Sequence, residues 1–186
     1  MPGIGNVINY IVPVDSMTIT DQKQYREAAV SKLMERARAK NLGDMPDVRD
    51  LQLNLIDFVA APTTDDWQTA ALAAVNGFYT CFAGQVSPQV PVNRVICYYG
   101  VNILTIPNPV SRLIFRKGGV AGNIAAVFDL EKLESFQNIA GFFTQPVVYD
   151  PQDIYAAQVR AKIATGAVSR VVLWALVAEP RGTTIA

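Results

Sequence analysis

Residues 154–163 place Tyr155, Ala157, Val159, Ala161 and Ile163 in alternation with Ala156, Gln158, Arg160 and Lys162. That period of two predicts a β-strand with one wet face. A helix opened by Asp150-Pro151 and closed at Gly166 competes for the same residues. A short turn at 164–168 leads to a second strand at 169–179. Its stretch Val171-Val172-Leu173-Trp174-Ala175-Leu176-Val177-Ala178 is apolar at both parities, as in a strand covered on both faces in the middle of a core. The period changes near the N-terminus. Tyr25, Ala29, Val30, Leu33, Met34 and Ala37 form one stripe at helical spacing. Thr18 or Thr20 offers the N-cap, Asp21 favours the first turn and Gly43 supplies the stop, so a helix is predicted over 21–42. Ahead of it, Val7-Ile8-Asn9-Tyr10-Ile11-Val12, ended by Pro13, predicts a short edge strand.

Beyond a polar linker at 44–50, Leu51, Leu53 and Leu55 alternate with Gln52 and Asn54. A strand over 50–60 follows, with a helix still open because Ile56 breaks the alternation. Thr63-Thr64-Asp65-Asp66-Trp67 resembles a cap, and the alanine-rich stretch after it predicts a helix over 65–76 ending at Gly77. From Phe78 onward, short β-type segments at 78–82, 92–99, 101–106, 110–116, 123–130 and 139–143 are divided by proline and glycine. Residues 131–137 form a short helical or irregular connection, and Pro146 and Pro151 break 147–150 into a bent edge. The strands are many, and their connections are too short for the helical crossovers of a βαβ arrangement. The chain is therefore predicted to be mainly β with an N-terminal helix, an antiparallel β-sandwich of jelly-roll or Greek-key type. It is one domain over 1–186: an arm, helix and first strand in 1–62, then a helix and the sandwich core in 63–186.

Composition sharpens this picture. The 186 residues are 51% hydrophobic and 17% charged, against a charged share of roughly 25% in soluble domains. A chain so poor in charge either has a large core or buries part of its surface against partners, so homo-oligomerisation is expected. Sixteen basic and sixteen acidic residues cancel, which leaves no global field to gather nucleic acid or an anionic membrane. Histidine is absent, removing the commonest general base, the commonest zinc ligand and the centre of Ser-His or Cys-His pairs. Cys81 and Cys97 lie in apolar stretches and are expected as buried thiols, with a disulfide as the alternative. The longest apolar run, 171–178, is far short of the ~18 residues a membrane helix needs. The first sixteen residues lack the basic start of a signal peptide, so the mature chain is expected to begin here.

Candidate chemistry is sparse. Gly3 and Gly5 have neither the preceding strand nor the following helix of a phosphate loop, and Gly118 to Gly122 lacks the Gly-Lys-Ser/Thr ending. Asp44, Asp47 and Asp50 lack the register of a calcium loop, and Asp65 with Asp66 suits a helix first turn better than a catalytic pair. An enzyme without histidine would need two acids, for which Glu131, Glu134, Asp150, Asp153 and Glu179 are available but unpaired by any motif. No catalytic, cofactor or metal residue is assigned, and no activity is expected. The helix 21–42 carries Lys23, Arg26, Lys32, Arg36, Arg38 and Lys40 against three acids. That excess is expected as a solvated face, with contact to nucleic acid or lipid headgroups as the alternative. Trp67, Tyr98, Tyr99, Tyr149 and Tyr155 are expected in the core, or else as platforms of a carbohydrate-binding module.

The segment Gly141-Phe142-Phe143-Thr144-Gln145-Pro146-Val147-Val148-Tyr149-Asp150-Pro151-Gln152-Asp153-Ile154, with the outgoing Val177-Ala178-Glu179-Pro180-Arg181-Gly182, resembles the closing strands of β-sandwich capsid or virion structural proteins of bacterial viruses. The resemblance covers the last third of the chain and transfers no catalytic residue. It implies a jelly-roll subunit of a virion, assembled in the host cytoplasm through its own copies and other structural proteins, with no cofactor and no small-molecule substrate. The segments expected to make contacts are the arm at 2–17, the helix at 21–42 and the loop at 84–93. The alternative function is a ligand- or carbohydrate-binding β-sandwich.

Overall fold

The computed structural model describes residues 8–50, 71–81, 89–167 and 169–182. The helical stripe forms α1 (Ile19–Ala39), opened by a reciprocal cap. Thr18 Oγ1 accepts from the Asp21 amide at 3.2 Å, and the Asp21 carboxylate accepts from the Thr18 amide at 3.0 Å. At the other end Asn41 takes φ 59°. Its amide bonds to the Arg38 carbonyl at 3.0 Å while that of Leu42 bonds to Ala37 at 3.1 Å, a Schellman closure. The stop therefore sits at Asn41, two residues before the expected Gly43.

The strands in chain order are β1 (Ile8–Asn9), β2 (Ile11–Pro13), β3 (Asp47–Asp50), β4 (Phe78–Thr80), β5 (Val95–Ile103), β6 (Val110–Lys117), β7 (Asn123–Asp129), β8 (Ala140–Tyr149), β9 (Tyr155–Ala161) and β10 (Val171–Glu179). One sheet has the order β1-β7-β6-β9-β4 and the other β2-β8-β5-β10-β3. The antiparallel pairs are nested: β6 with β7, β5 with β8, β4 with β9 and β3 with β10. From β3 to β10 the chain is thus a long folded ribbon whose tip is the β6–β7 turn. Rolling that ribbon brings β5 against β10 and β6 against β9, both antiparallel. This is the jelly roll, the sandwich expected from the sequence. The arm adds a strand to each sheet, β1 parallel to β7 and β2 antiparallel to β8, with the crossing at Tyr10.

Two apolar layers hold the fold. Between the sheets, Tyr98, Phe115, Phe128, Phe143, Tyr149 and Tyr155 are fully buried, and Phe128 stacks on Phe143 with centroids 4.0 Å apart. On the outer face of the β10 sheet, Ala29, Leu33 and Ala37 of α1 pack on Val95, Cys97, Leu176 and Ala178. The double-parity pattern of β10 follows: Val171, Leu173, Ala175 and Val177 face the first layer, Leu176 and Ala178 the second. The cysteines divide in the same way. Both are free, Cys81 in the sandwich core and Cys97 under the helix, and burial pushes the Cys97 thiol up to about 12.

The two closing strands form as expected and lie in different sheets, β9 between β6 and β4 and β10 in the opposite sheet between β5 and β3. The connection between them crosses from sheet to sheet, and the helix considered for 154–163 does not form. Several expectations are corrected. No helix forms over 71–76, and 65–70 lie outside the described residues. There the backbone bonds outward, Leu72 N to the Ala167 carbonyl at 3.0 Å and Asn76 N to that of Ala161 at 2.8 Å, so tertiary bonds replace the internal ones of a helix. Of the strand expected over 50–60 only Asp50 is described, and it ends β3, which occupies the supposed linker. The segments 92–99 and 101–106 merge into β5 through a bulge at Tyr99-Gly100. The supposed break at Pro146 is a bulge inside β8, where Tyr98 pairs with Val147 and Gly100 with Phe142.

Candidate functional site

The roll gives the molecule two unlike ends. At one, residues 71–77, 104–109, 130–139, 162–167 and 169–170 converge because β5, β7 and β9 finish there and β4, β6, β8 and β10 begin. Backbone bonds tie these connections together: Leu104 N to the Arg170 carbonyl at 2.9 Å, Lys162 N to Pro109 at 2.7 Å and Ile103 N to Ile139 at 2.8 Å. Buried Asn108 pins the 104–109 turn, its Oδ1 accepting from the Val110 amide at 3.0 Å. Large apolar side chains are nonetheless left in solvent here, namely Val75, Phe78, Leu104, Ile106 and Ile163, with Ile106 78% exposed. Ile106, Ile163, Phe136 and Pro107 line a cavity of about 450 Å³ beside the Lys162–Glu134 ion pair, N to O 2.8 Å.

The opposite end is ionic. Asp150, at the β8–β9 turn, receives Arg36 through Nε at 2.6 Å and Nη2 at 2.5 Å, and Lys40 at 3.2 Å. Asp153 pairs with Lys117 at 2.8 Å and accepts from the Asp150 amide at 2.9 Å. Glu179 is buried between Arg49 and Arg94, each Nε at 3.2 Å. The acids considered for an enzyme are therefore tied to cations: Asp150, Asp153, Glu134 and Glu179 all carry ion pairs, and Glu131 opens a 3-10 turn at Glu131–Leu133. Among the described residues no group of three or more His, Cys, Asp or Glu side chains comes together to hold a metal. Asp47 accepts from the Gly182 amide and Asp50 pairs with Arg26. Gly118 and Gly119, with φ 89° and 80°, make the turn between β6 and β7 that the sequence predicts. Gly3, Gly5, Asp65, Asp66 and Trp67 lie outside the described residues.

The basic face of α1 is largely committed to its own subunit. Arg36 and Lys40 hold Asp150, Arg38 donates to the Asp44 carbonyl at 2.8 Å, Lys32 to that of Pro146 at 3.0 Å, and Arg26 pairs with Asp50 at 3.2 Å. These bonds clamp the helix over the sheet. Hydrogen bonding from the Arg36 guanidinium holds the Asp150 carboxyl below its ordinary value of 3.8. A carboxyl depressed by folding stabilises the native state above its unfolded pKa and loses that contribution as pH falls through the folded one. The clamp is thus complete above about pH 4 and weakens below it. Because Arg36 is half exposed, the contribution is about 1 kcal/mol. Denaturant titrations of Asp150→Asn and the parent should differ by that amount at neutral pH and converge in acid. A difference that persists in acid would rule out the carboxylate as its source.

Of the aromatic residues named from the sequence, Tyr98, Tyr149 and Tyr155 are core and Tyr99 alone among the described ones reaches the surface. Trp174 joins it there. Its even position in β10 puts it outside the sandwich, beyond the part of the sheet that α1 covers. No family model and no curated protein sequence matches the chain. Solved structures similar to it include the VP2 subviral particle of infectious bursal disease virus, at 13% identity and TM-score 0.40 over 75% of this chain and 34% of that one. Another is the Gx strain of the same virus, at 14% identity and TM-score 0.37 over 76% and 35%. A third is the C-terminal CBM6 of LamC, a marine laminarinase from Zobellia galactanivorans, at 9% identity and TM-score 0.34 over 72% and 100%. The chain spans about a third of the length of the two viral chains. The viral neighbours belong to a virus other than those of bacteria. The jelly-roll assignment stands on the strand order above.

Proposed function

We propose that the chain is a structural subunit that assembles with copies of itself and with other structural proteins of a virion, without an enzymatic role or a cofactor. The observation that carries this reading is the apolar end. Five large hydrophobic side chains stand exposed at this one end, Phe78 at the start of β4 and four on connections that the fold itself holds in place, while Tyr10, Ile19, Met45, Val92, Ile124 and Ile154 are exposed elsewhere. The low charged share of the sequence supports it, and the viral setting rests on the resemblance of the closing strands. A virion assembled in the host cytoplasm is the corresponding location, and among the described residues no helix is long and apolar enough to cross a membrane.

The contact segments expected from the sequence shift accordingly. The arm supplies β1 and β2 to its own subunit, and Asp15 accepts from the Asn138 amide and side chain at 2.9 and 2.6 Å. Removing 2–17 would therefore strip both sheet edges rather than a free tether. Of the loop at 84–93, residues 89–93 are described, at the ionic end. The apolar end takes over as the principal contact surface.

The test is light scattering behind size exclusion over a range of concentration and salt, with negative-stain microscopy of the same fractions. The parent should form defined oligomers or shells, strengthened by sulfate. Leu104→Glu combined with Ile106→Glu removes two apolar contacts worth at least about 1.5 kcal/mol each. Association should weaken by about 100-fold or more while the circular dichroism spectrum and Tm stay near the parent's. A parent that is monomeric throughout, or a double variant that assembles like it, would refute the proposal.

A further inference from the structure

Alongside the N-terminal half of α1, the outer face of the β10 sheet is open and carries an aromatic floor. Tyr99 and Trp174 are partly exposed and Phe142 is buried beside them. Their centroids lie 6.3 Å apart for Tyr99 and Trp174, 5.2 Å for Phe142 and Trp174, and 6.1 Å for Tyr99 and Phe142, with interplanar angles of 36°, 51° and 26°. The rings tile a surface and leave no slot between parallel faces. Gly100 makes the tiling possible, because a Cβ there would lie 2.4 Å from Trp174 Cε3. Strand alternation after Cys97 and Tyr98 turns Tyr99 outward, and the bulge in β5 lies at the same place.

One wall of this groove is polar. Gln22, Lys23 and Arg26 of α1 line it with Ile19, and its volume is about 300 Å³, enough for one ring-sized ligand. Lys23 and Arg26 bring two cations to it. The Arg26–Asp50 pair is mostly exposed, with side chains 50% and 71% accessible, so its guanidinium can exchange partners at little cost. An apolar floor, an amide and a planar cationic fork make a site for a ring with one apolar face, several hydroxyls and a carboxylate.

We propose that the groove binds a carboxylated sugar, with the C–H face of the ring on Trp174 and Tyr99, hydroxyls at Gln22 and the carboxylate at Lys23 and Arg26. A nucleobase is less well matched, because the tilted rings offer no flat face pair to enclose it. A lipid tail would need a long apolar channel. The site stands independently of the assembly reading, since it lies on the outer face of a sheet and not at the apolar end.

Saturation-transfer NMR on the full chain, in whatever oligomeric state it adopts, tests this with methyl glucuronide, methyl glucoside and uridine monophosphate as probes. The glucuronide should bind with a dissociation constant on the order of 1 mM, with transfer concentrated on its ring C–H protons. The glucoside, which differs in lacking the carboxylate, should bind about tenfold more weakly. Lys23→Ala, on an exposed helix position, should lower glucuronide affinity about tenfold without changing the Tm. Trp174→Leu should abolish the ring C–H transfer. Equal binding of glucoside and glucuronide, undiminished binding by Lys23→Ala, preference for the nucleotide, or no binding by any probe would each overturn the proposal.

Discussion

Glu179→Ala should destabilise the protein by about 3 kcal/mol, the cost of taking the carboxylate out of a buried ion-pair cluster. The carboxylate is 4% exposed and lies between Arg94, itself 8% exposed, and Arg49, with Nε to oxygen distances of 3.2 Å to each. The three residues come from the last residue of β10, the approach to β5 and the middle of β3. The charge therefore fastens three neighbouring strands at the ionic end. Truncation removes an anion that two guanidinium groups share in a poorly solvated place. For a chain of this size each 1 kcal/mol shifts Tm by roughly 2–4 °C, so a drop of about 6–12 °C is expected by calorimetry. Glu179→Gln keeps an oxygen acceptor without the charge and should fall between parent and alanine variant. A loss below about 1 kcal/mol for Glu179→Ala would show that the arginines find compensation elsewhere.

That triad illustrates what one sequence leaves concealed. β3 is Asp47-Val48-Arg49-Asp50, a polar string with no alternation to mark it. It is a strand because its backbone completes the edge beside β10 and Arg49 reaches Glu179. Neither cause is local. Where local and tertiary preferences agree, the sequence was legible: Thr18 and Asp21 announce the helix start, and Leu176 and Ala178 alternating with Ala175 and Val177 announce a strand covered twice. Where they disagree, the alanine-rich 71–76 follows its bonds to Ala161 and Ala167 rather than its helical propensity. The closing strands, adjacent in sequence and both strongly β, go to opposite sheets because rolling the ribbon, not the nearest turn, selects their partners.

The surfaces were less legible than the fold. Tyr98 and Tyr99 are neighbours in one strand, yet one is in the core and the other faces out, as alternation requires. Applied to β10, the same parity rule would have placed Trp174 outside. Ile106 looked like the end of a strand. Its significance emerges only when four connections meet, since no periodicity relates Val75, Leu104, Ile106 and Ile163.

The second large effect expected is at Leu33, which is fully buried where α1 meets β5 and β10. Leu33→Ala should cost about 3 kcal/mol, from lost burial and the cavity left behind. The two free cysteines can show where that loss acts. Cys97 lies beneath the helix and Cys81 between the sheets, so a thiol reagent reaches the first when α1 lifts and the second only when the sandwich opens. If the helix is a separate opening unit, Leu33→Ala should speed Cys97 labelling by about 100-fold and leave Cys81 nearly unchanged. Equal acceleration at both sites would instead make helix and sandwich one cooperative unit. The distinction bears on assembly, because a lifted helix uncovers Val95, Leu176 and Ala178 on the outer sheet face. That face lies away from the apolar end, so association through it would not close into the same particles. Leu33→Ala should accordingly give amorphous aggregates, while Leu104→Glu with Ile106→Glu gives dispersed subunits. Finding the same product from both would mean that the apolar end and the helix-covered face are not separate surfaces.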